Sequence, residues 1–162
     1  MSDYFPAEIH IGGPIRLRHV DDLITEMAQQ NLSLHGYGNP AATKATLRQA
    51  LQEGTIIHLY DDEARNGCFE ELEEFLVRRR IHFDRLSAAF CEYSGEKVFY
   101  RGRGQPLVRL ADQAGKVVIG VEELAAILDQ KNRSDSDRLK ALRRFINPPE
   151  CTALTPIQFR KE

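Results

Sequence analysis

The sequence predicts a mixed α/β or α+β fold: a single mixed sheet of parallel strand-helix-strand units, extended by antiparallel hairpins, with helices packed on it. Three observations carry this. Short β-branched runs recur at Ile9-His10-Ile11 and Thr55-Ile56-Ile57-His58-Leu59-Tyr60. Apolar residues at i, i+3, i+4, i+7 follow each of them. Beyond residue 90 the runs shorten and alternate around glycine-containing turns. A ferredoxin-like α+β sandwich is the close alternative.

Glu8-Ile9-His10-Ile11 alternates as a strand does, and Gly12-Gly13-Pro14 ends it. Val20, Leu23, Ile24 and Met27 then predict an amphipathic helix from Val20 to Asn31, with Asp21 and Asp22 complementing its positive end. His35-Gly36-Tyr37-Gly38-Asn39-Pro40 is the clearest internal loop. A second helix spans Ala42 to Gln52, with Gly54 placed to end it. Thr55 to Tyr60 is apolar almost throughout, the pattern of a strand buried on both faces, and Asp61-Asp62-Glu63 closes it. From Cys68 to Arg80 a third helix has four early glutamates (Glu70, Glu71, Glu73, Glu74) and three late arginines (Arg78, Arg79, Arg80), matching the helix dipole.

Ile81-His82-Phe83 begins a third strand. Cys91 to Tyr100 reads as a hairpin turning at Ser94-Gly95, and Leu107–Leu110 with Val117–Ile119 as another around Asp112–Gly115. Helices follow from Val121 to Gln130 and from the Ser134-Asp135 cap to Ile146, where Pro148-Pro149 stops the chain's helical run. Residues 1–147 are thus expected as one domain and 148–162 as an extended tail. An internal repeat is one reading of the two halves, and the apolar periodicity common to any two strand-helix units is the other. Ile9-His10-Ile11 aligns with Ile57-His58-Leu59, and Leu23, Met27, Leu32 and Leu34 then align with Leu72, Leu76, Ile81 and Phe83 after one inserted residue.

The 162 residues are 42% hydrophobic and 28% charged, which suits one globular core. No run of apolar residues is long enough for a spanning helix, and Met1 to Pro6 carries no secretory pattern. Cys68, Cys91 and Cys151 are odd in number and lack CxxC spacing, so reduced thiols in a cytoplasmic protein are expected. The formal net charge of −2 excludes a strong global field for nucleic acid, leaving only local basic patches.

Four constellations could carry chemistry. If the first three strands are parallel, Gly12, Gly13, Asp61, Asp62 and Asp84 with Arg85 gather at their carboxyl ends, where a ligand or a hard cation could sit. Ordinary turn chemistry accounts for the same residues. His10, His58 and His82 each lie between apolar neighbours and could face one side of the sheet as metal ligands, or act as locally bonded core residues. Cys68 precedes a helix, but the acidic first turn favours a structural thiol. Arg78-Arg79-Arg80, Arg101 with Arg103, and Arg143-Arg144 could join into a phosphate-binding surface, with Tyr100 stacking a base. A solvated face explains these charges as simply.

No nucleophile elbow, Walker, HExxH or EF-hand spacing occurs. The leading expectation is therefore a non-enzymatic binding or adaptor protein, with no cofactor, a protein partner and room for a homo-oligomer. A nucleic-acid-associated role through Tyr100, Arg101 and Arg103 ranks second. A small-ligand or metal-dependent enzyme at the strand ends ranks third. No membrane role is expected.

Overall fold

The alternating run Tyr4–Gly12 forms the central strand, β1, of a mixed α and β fold. The computed structural model describes residues 3–89 and 94–161. After β1 come β2 (Pro14–Arg16), a 3-10 turn (Leu17–His19), α1 (Val20–Gln29), α2 (Lys44–Gln52), β3 (Ile57–Arg65), α3 (Glu70–Arg79) and β4 (His82–Ser87). Then follow β5 (Gly95–Tyr100), β6 (Leu107–Ala111), α4 (Val121–Leu128), α5 (Asp135–Ile146), a 3-10 turn (Pro149–Cys151) and β7 (Gln158–Arg160). The main sheet has the order β3-β1-β4-β5-β6, antiparallel throughout, and β2 and β7 form a small parallel pair.

The strand-helix-strand units are parallel in a split sense. β3 and β4 both run antiparallel to β1, so α3 joins two parallel strands with β1 between them. Ser33 bridges antiparallel to Tyr60 on the outer edge of β3, so α1 likewise leads from β1 to a parallel position with β3 between. Two interleaved split units make the ferredoxin-like alternative, with one strand reduced to the Ser33 bridge. Among the described residues of the main sheet no parallel strands are direct neighbours, because each crossover skips a slot and the other unit's strand fills it.

The aligned repeat has a geometric counterpart. His10 pairs with His58, its own equivalent, while Ile9 pairs with Leu59 and Ile11 with Ile57. The Ser33–Tyr60 bridge maps onto the observed pair His82–Gly12. A pseudo-two-fold axis therefore passes through the His10–His58 pair.

Period-two alternation sends Ala7, Ile9 and Ile11 to one face, where they are fully buried against Leu23, Ile24 and Met27 of α1 and Leu72, Phe75 and Leu76 of α3. Glu8, His10 and Gly12 take the other face. β3 follows the same rule: Ile57 and Leu59 are buried and His58 is exposed. The expectation of burial on both faces fails because an antiparallel sheet can leave one side wet. Asp61-Asp62-Glu63 also continues β3 rather than ending it.

Gly95 opens β5 instead of turning a hairpin; its Cα is hemmed by the carbonyls of Ala111 and Ser87, each 3.1 Å from where a Cβ would sit. Cys91, Glu92 and Tyr93, the first residues of that expected hairpin, lie outside the described residues. The second hairpin survives as a tight turn, in which Asp112 Oδ1 accepts the N–H groups of Ala114 and Lys116 and Ala111 bridges Val117. Ser134 caps α5 as expected, accepting the Asp137 N–H at 3.2 Å. The C-terminal segment is extended over part of its length but docked: Ile157 is buried, and β7 pairs with β2.

A buried arginine sits on the helix-facing side of the sheet. Arg85, mid-strand in β4, is 4% exposed. Its guanidinium meets Glu73 of α3 at 2.9 Å and Glu96 of β5 at 3.2 Å, and donates to Gly67 O at 2.8 Å and Ser87 Oγ at 3.2 Å. It thus ties the start of α3 to two strands. Removing one partner of such a group strands the other charge. Arg85→Ala should lower the unfolding free energy by about 3 kcal/mol, read from urea midpoints. Arg48→Ala, which breaks an exposed pair with Asp21, should cost less than about 1 kcal/mol.

Candidate functional site

The end of β1 and the start of β4 meet at the Gly12–His82 pair, and a cleft opens beside it. It encloses about 780 Å³ and is lined by residues from seven parts of the chain. β2 supplies Pro14 and Arg16; the following 3-10 turn supplies Arg18 and His19. Arg78, Arg79 and Arg80 come from the end of α3, His82 from β4, Arg101, Gly102 and Arg103 from the β5–β6 loop, and Arg160 from β7. Asp22 is the one carboxylate in the lining.

These arginines do different jobs. Arg101 is a strut: it meets Asp84 at 2.7 Å and donates to the carbonyls of Phe83, Tyr100 and Thr152. Arg79 pairs with Asp22 at 3.5 Å. Arg16, Arg78, Arg80, Arg103 and Arg160 are exposed, and among the described residues none of them has an ion-pair partner. Arg80 also holds a left-handed backbone, φ 58°, at the α3 C-cap. Glycine or asparagine is the usual occupant of that position, and Asn31 and Asn66 hold the other positive-φ sites not taken by glycine among the described residues.

The two imidazoles feel this field. Burial, then Arg79, Arg18 and Arg16, holds His19 below the ordinary histidine value. Burial, then Arg101 and Arg160, does the same to His82. The His82 ring packs over two glycines; a Cβ on Gly13 would lie 2.6 Å from its Nδ1 and one on Gly102 2.8 Å from its Nε2. Both glycines also have positive φ, 75° and 74°.

The strand-end grouping does not form. β1 is antiparallel to β3, so Gly12 and Gly13 lie at the opposite end of the sheet from Asp61 and Asp62. Gly12 makes room for Thr155 of the C-terminal segment and Gly13 for His82, rather than for a ligand. Asp62 accepts the N–H of Gly38 in the loop before α2, and Asp61 accepts the Glu63 N–H two residues on. Asp84 is mid-strand and occupied by Arg101.

Strand pairing puts His10, His58 and His82 on one face of the sheet, as the Ile-His-apolar pattern allows. His10 and His58 stack with centroids 4.1 Å apart, and Glu8 meets His10 Nε2 at 3.4 Å. His82 is two residues further along, over the glycines. Among the described residues no three His, Cys, Asp or Glu side chains come close enough to hold a metal ion, so the three-histidine metal site is corrected to a stacked pair and a separate cleft histidine.

Tyr100 is 3% exposed, packs on Phe83 and donates its hydroxyl to Val77 O; it offers no stacking face. Arg143 and Arg144 lie on α5 and do not line the cleft. Cys68 is half-buried, donates to Asn66 O, and burial raises its pKa, which suits a structural thiol. Arg16, Arg18 and Arg160 were not singled out from sequence. The alternation Arg16-Leu17-Arg18 after the first strand is their one local signal.

No helix among the described residues is long and apolar enough to cross a membrane. Comparison with protein-family models, curated proteins and solved structures finds no match for this chain.

His19, His58 and His82 all have folded pKa values below the ordinary 6.5, chiefly through burial. Between those values and 6.5 the unfolded chain binds more protons, so stability rises with pH there. The contribution is complete above the unfolded value and is lost as pH falls through the window. Urea midpoints should therefore drop as pH falls below about 7, and His82→Gln should make that drop shallower.

Proposed function

We propose that this chain is a non-enzymatic binding protein that takes a nucleic-acid strand by its sugar-phosphate backbone in the arginine-lined cleft. The observation that carries the reading is the convergence of eight guanidinium groups on one concavity with a single carboxylate. Like charges do not gather at no cost, and planar guanidinium forks match phosphate oxygens in geometry and charge. The overall charge of −2 makes the attraction local, acting within roughly a Debye length of about 8–10 Å.

The cleft lining contains no Phe, Tyr or Trp, and buried Tyr100 cannot take a base. Recognition therefore falls on phosphates, which position a strand without reading its sequence. Arg80 supports the same reading. Its left-handed backbone costs roughly 1–2 kcal/mol relative to a right-handed one, a strain that an exposed arginine gains nothing from unless its side chain is used.

The test is fluorescence anisotropy with a labelled short single-stranded oligonucleotide in rising salt. If the five unpaired arginines each meet one phosphate, log affinity should fall with log salt at a slope of about −3.5. Arg78→Gln with Arg103→Gln should reduce that slope by about 1.4, while Arg143→Gln with Arg144→Gln should leave it unchanged. Salt-independent binding, or indifference to the Arg78 and Arg103 changes, would defeat the reading. Capture of an acidic polypeptide in preference to the oligonucleotide would replace the ligand class, and cleavage of the probe would replace binding with phosphodiester chemistry.

A second prediction separates stability from binding at one residue. Arg80→Gly should stabilise the fold by about 0.5–1 kcal/mol and weaken oligonucleotide binding. Loss of stability would show that the Arg80 side chain holds the fold rather than a ligand.

A further inference from the structure

The parallel pair β2–β7 sets Arg16 directly opposite Arg160. Both side chains line the cleft and are exposed. Cross-strand partners in a sheet lie about 5 Å apart at their backbones, and like charges at such positions destabilise the pairing. Three groups around them are also basic or cationic: His82 beneath the glycines, Arg101 held by Asp84, and Arg103 on the neighbouring loop. Arg160 is close enough to His82 to hold its pKa down, second after burial only to Arg101 among the charges.

This segment docks through the β2–β7 ladder and through bonds around it. Gly13 donates its N–H to Thr155 O at 2.8 Å, and Gln158 donates to Gly13 O at 2.9 Å. Arg101 donates two bonds to Thr152 O, and Ile157 is buried. The Gly13–Gln158 bond lies at the other end of the short ladder that Arg16 and Arg160 close, so that opposed pair sits where the segment meets the cleft.

We infer that Arg16 and Arg160 form a phosphate subsite, so that a bound phosphate bridges the two guanidinium groups and fastens the C-terminal strand onto β2. The inference rests on the proposed phosphate-binding role of the cleft and adds to it. The ligand completes a strand pair, and the C-terminal segment is part of the binding site rather than a tail. By linkage, whatever phosphate does for docking, docking does for phosphate affinity.

The experiment is amide hydrogen exchange on the full chain, alone and with either inorganic tripolyphosphate or a short single-stranded oligonucleotide at low salt. Both probes should slow exchange at the Gly13 and Gln158 amides at least several-fold. In Arg160→Gln the free chain should exchange there no faster than the parent, because removing one of two opposed charges does not loosen the pair, while either probe should bind more weakly and give little added protection. Arg16→Gln should reproduce this. Binding of a probe with no change at Gly13 and Gln158, or faster exchange in free Arg160→Gln, would overturn the subsite and leave the cleft reading standing. Failure of both probes to bind would overturn both. Protection by tripolyphosphate alone would keep the subsite and assign it to a compact polyphosphate in place of a nucleic-acid strand.

Discussion

The pairing of Gly12 with His82 is the contact on which the cleft depends. It joins the end of β1 to the start of β4, and so brings the chain leaving the first strand beside the chain leaving α3. Arg16 and Arg18 follow from the one, and Arg78, Arg79 and Arg80 precede the other. A side chain at Gly13 or Gly102 would collide with the His82 ring, so two glycines and one imidazole set how closely these basic segments approach. Arg101 then fixes the remaining wall, anchored on Asp84 and reaching to Thr152 of the C-terminal segment.

Charge in this molecule is segregated rather than absent. α3 begins with acidic residues and ends with basic ones, which favours its dipole and delivers three guanidinium groups to one end of the helix. At its acidic end Glu73 is consumed by buried Arg85, an interaction that serves the fold. At its basic end Arg78 and Arg80 have no such partner among the described residues. The near-zero net charge thus conceals a local basic field, which adds to burial in holding His19 and His82 below the ordinary histidine pKa.

Much of the fold was legible because apolar periodicity is local. The helices at Val20, Lys44, Glu70, Val121 and Asp135 all follow from spacing and caps. The aligned halves, with His10 matching His58, even contained the central register. Strand direction was not legible, since an apolar run looks the same whether its neighbour is parallel or antiparallel, and that one unknown displaced Gly12 and Gly13 from Asp61 and Asp62. Of the cleft, the arginines at 78–80, 101 and 103 stood out as clusters. Arg16 and Arg160 did not, because they lie 144 positions apart in sequence and meet only through β2–β7. Tyr100 misled for a related reason: its neighbour Arg101 looked like a surface residue, while alternation in β5 turned the ring into the core.

The most direct test of the cleft is to watch the arginine side chains themselves. In a ¹⁵N-selective NMR titration of the Nε–Hε groups with a short oligonucleotide, Arg16, Arg78, Arg80, Arg103 and Arg160 should shift together at one affinity, with Arg85 and exposed Arg48, Arg143 and Arg144 unmoved. Equal, weak shifts at Arg48, Arg143 and Arg144 would mean diffuse attraction to any basic surface, and would contradict a site built by the meeting of β1, β4 and the end of α3.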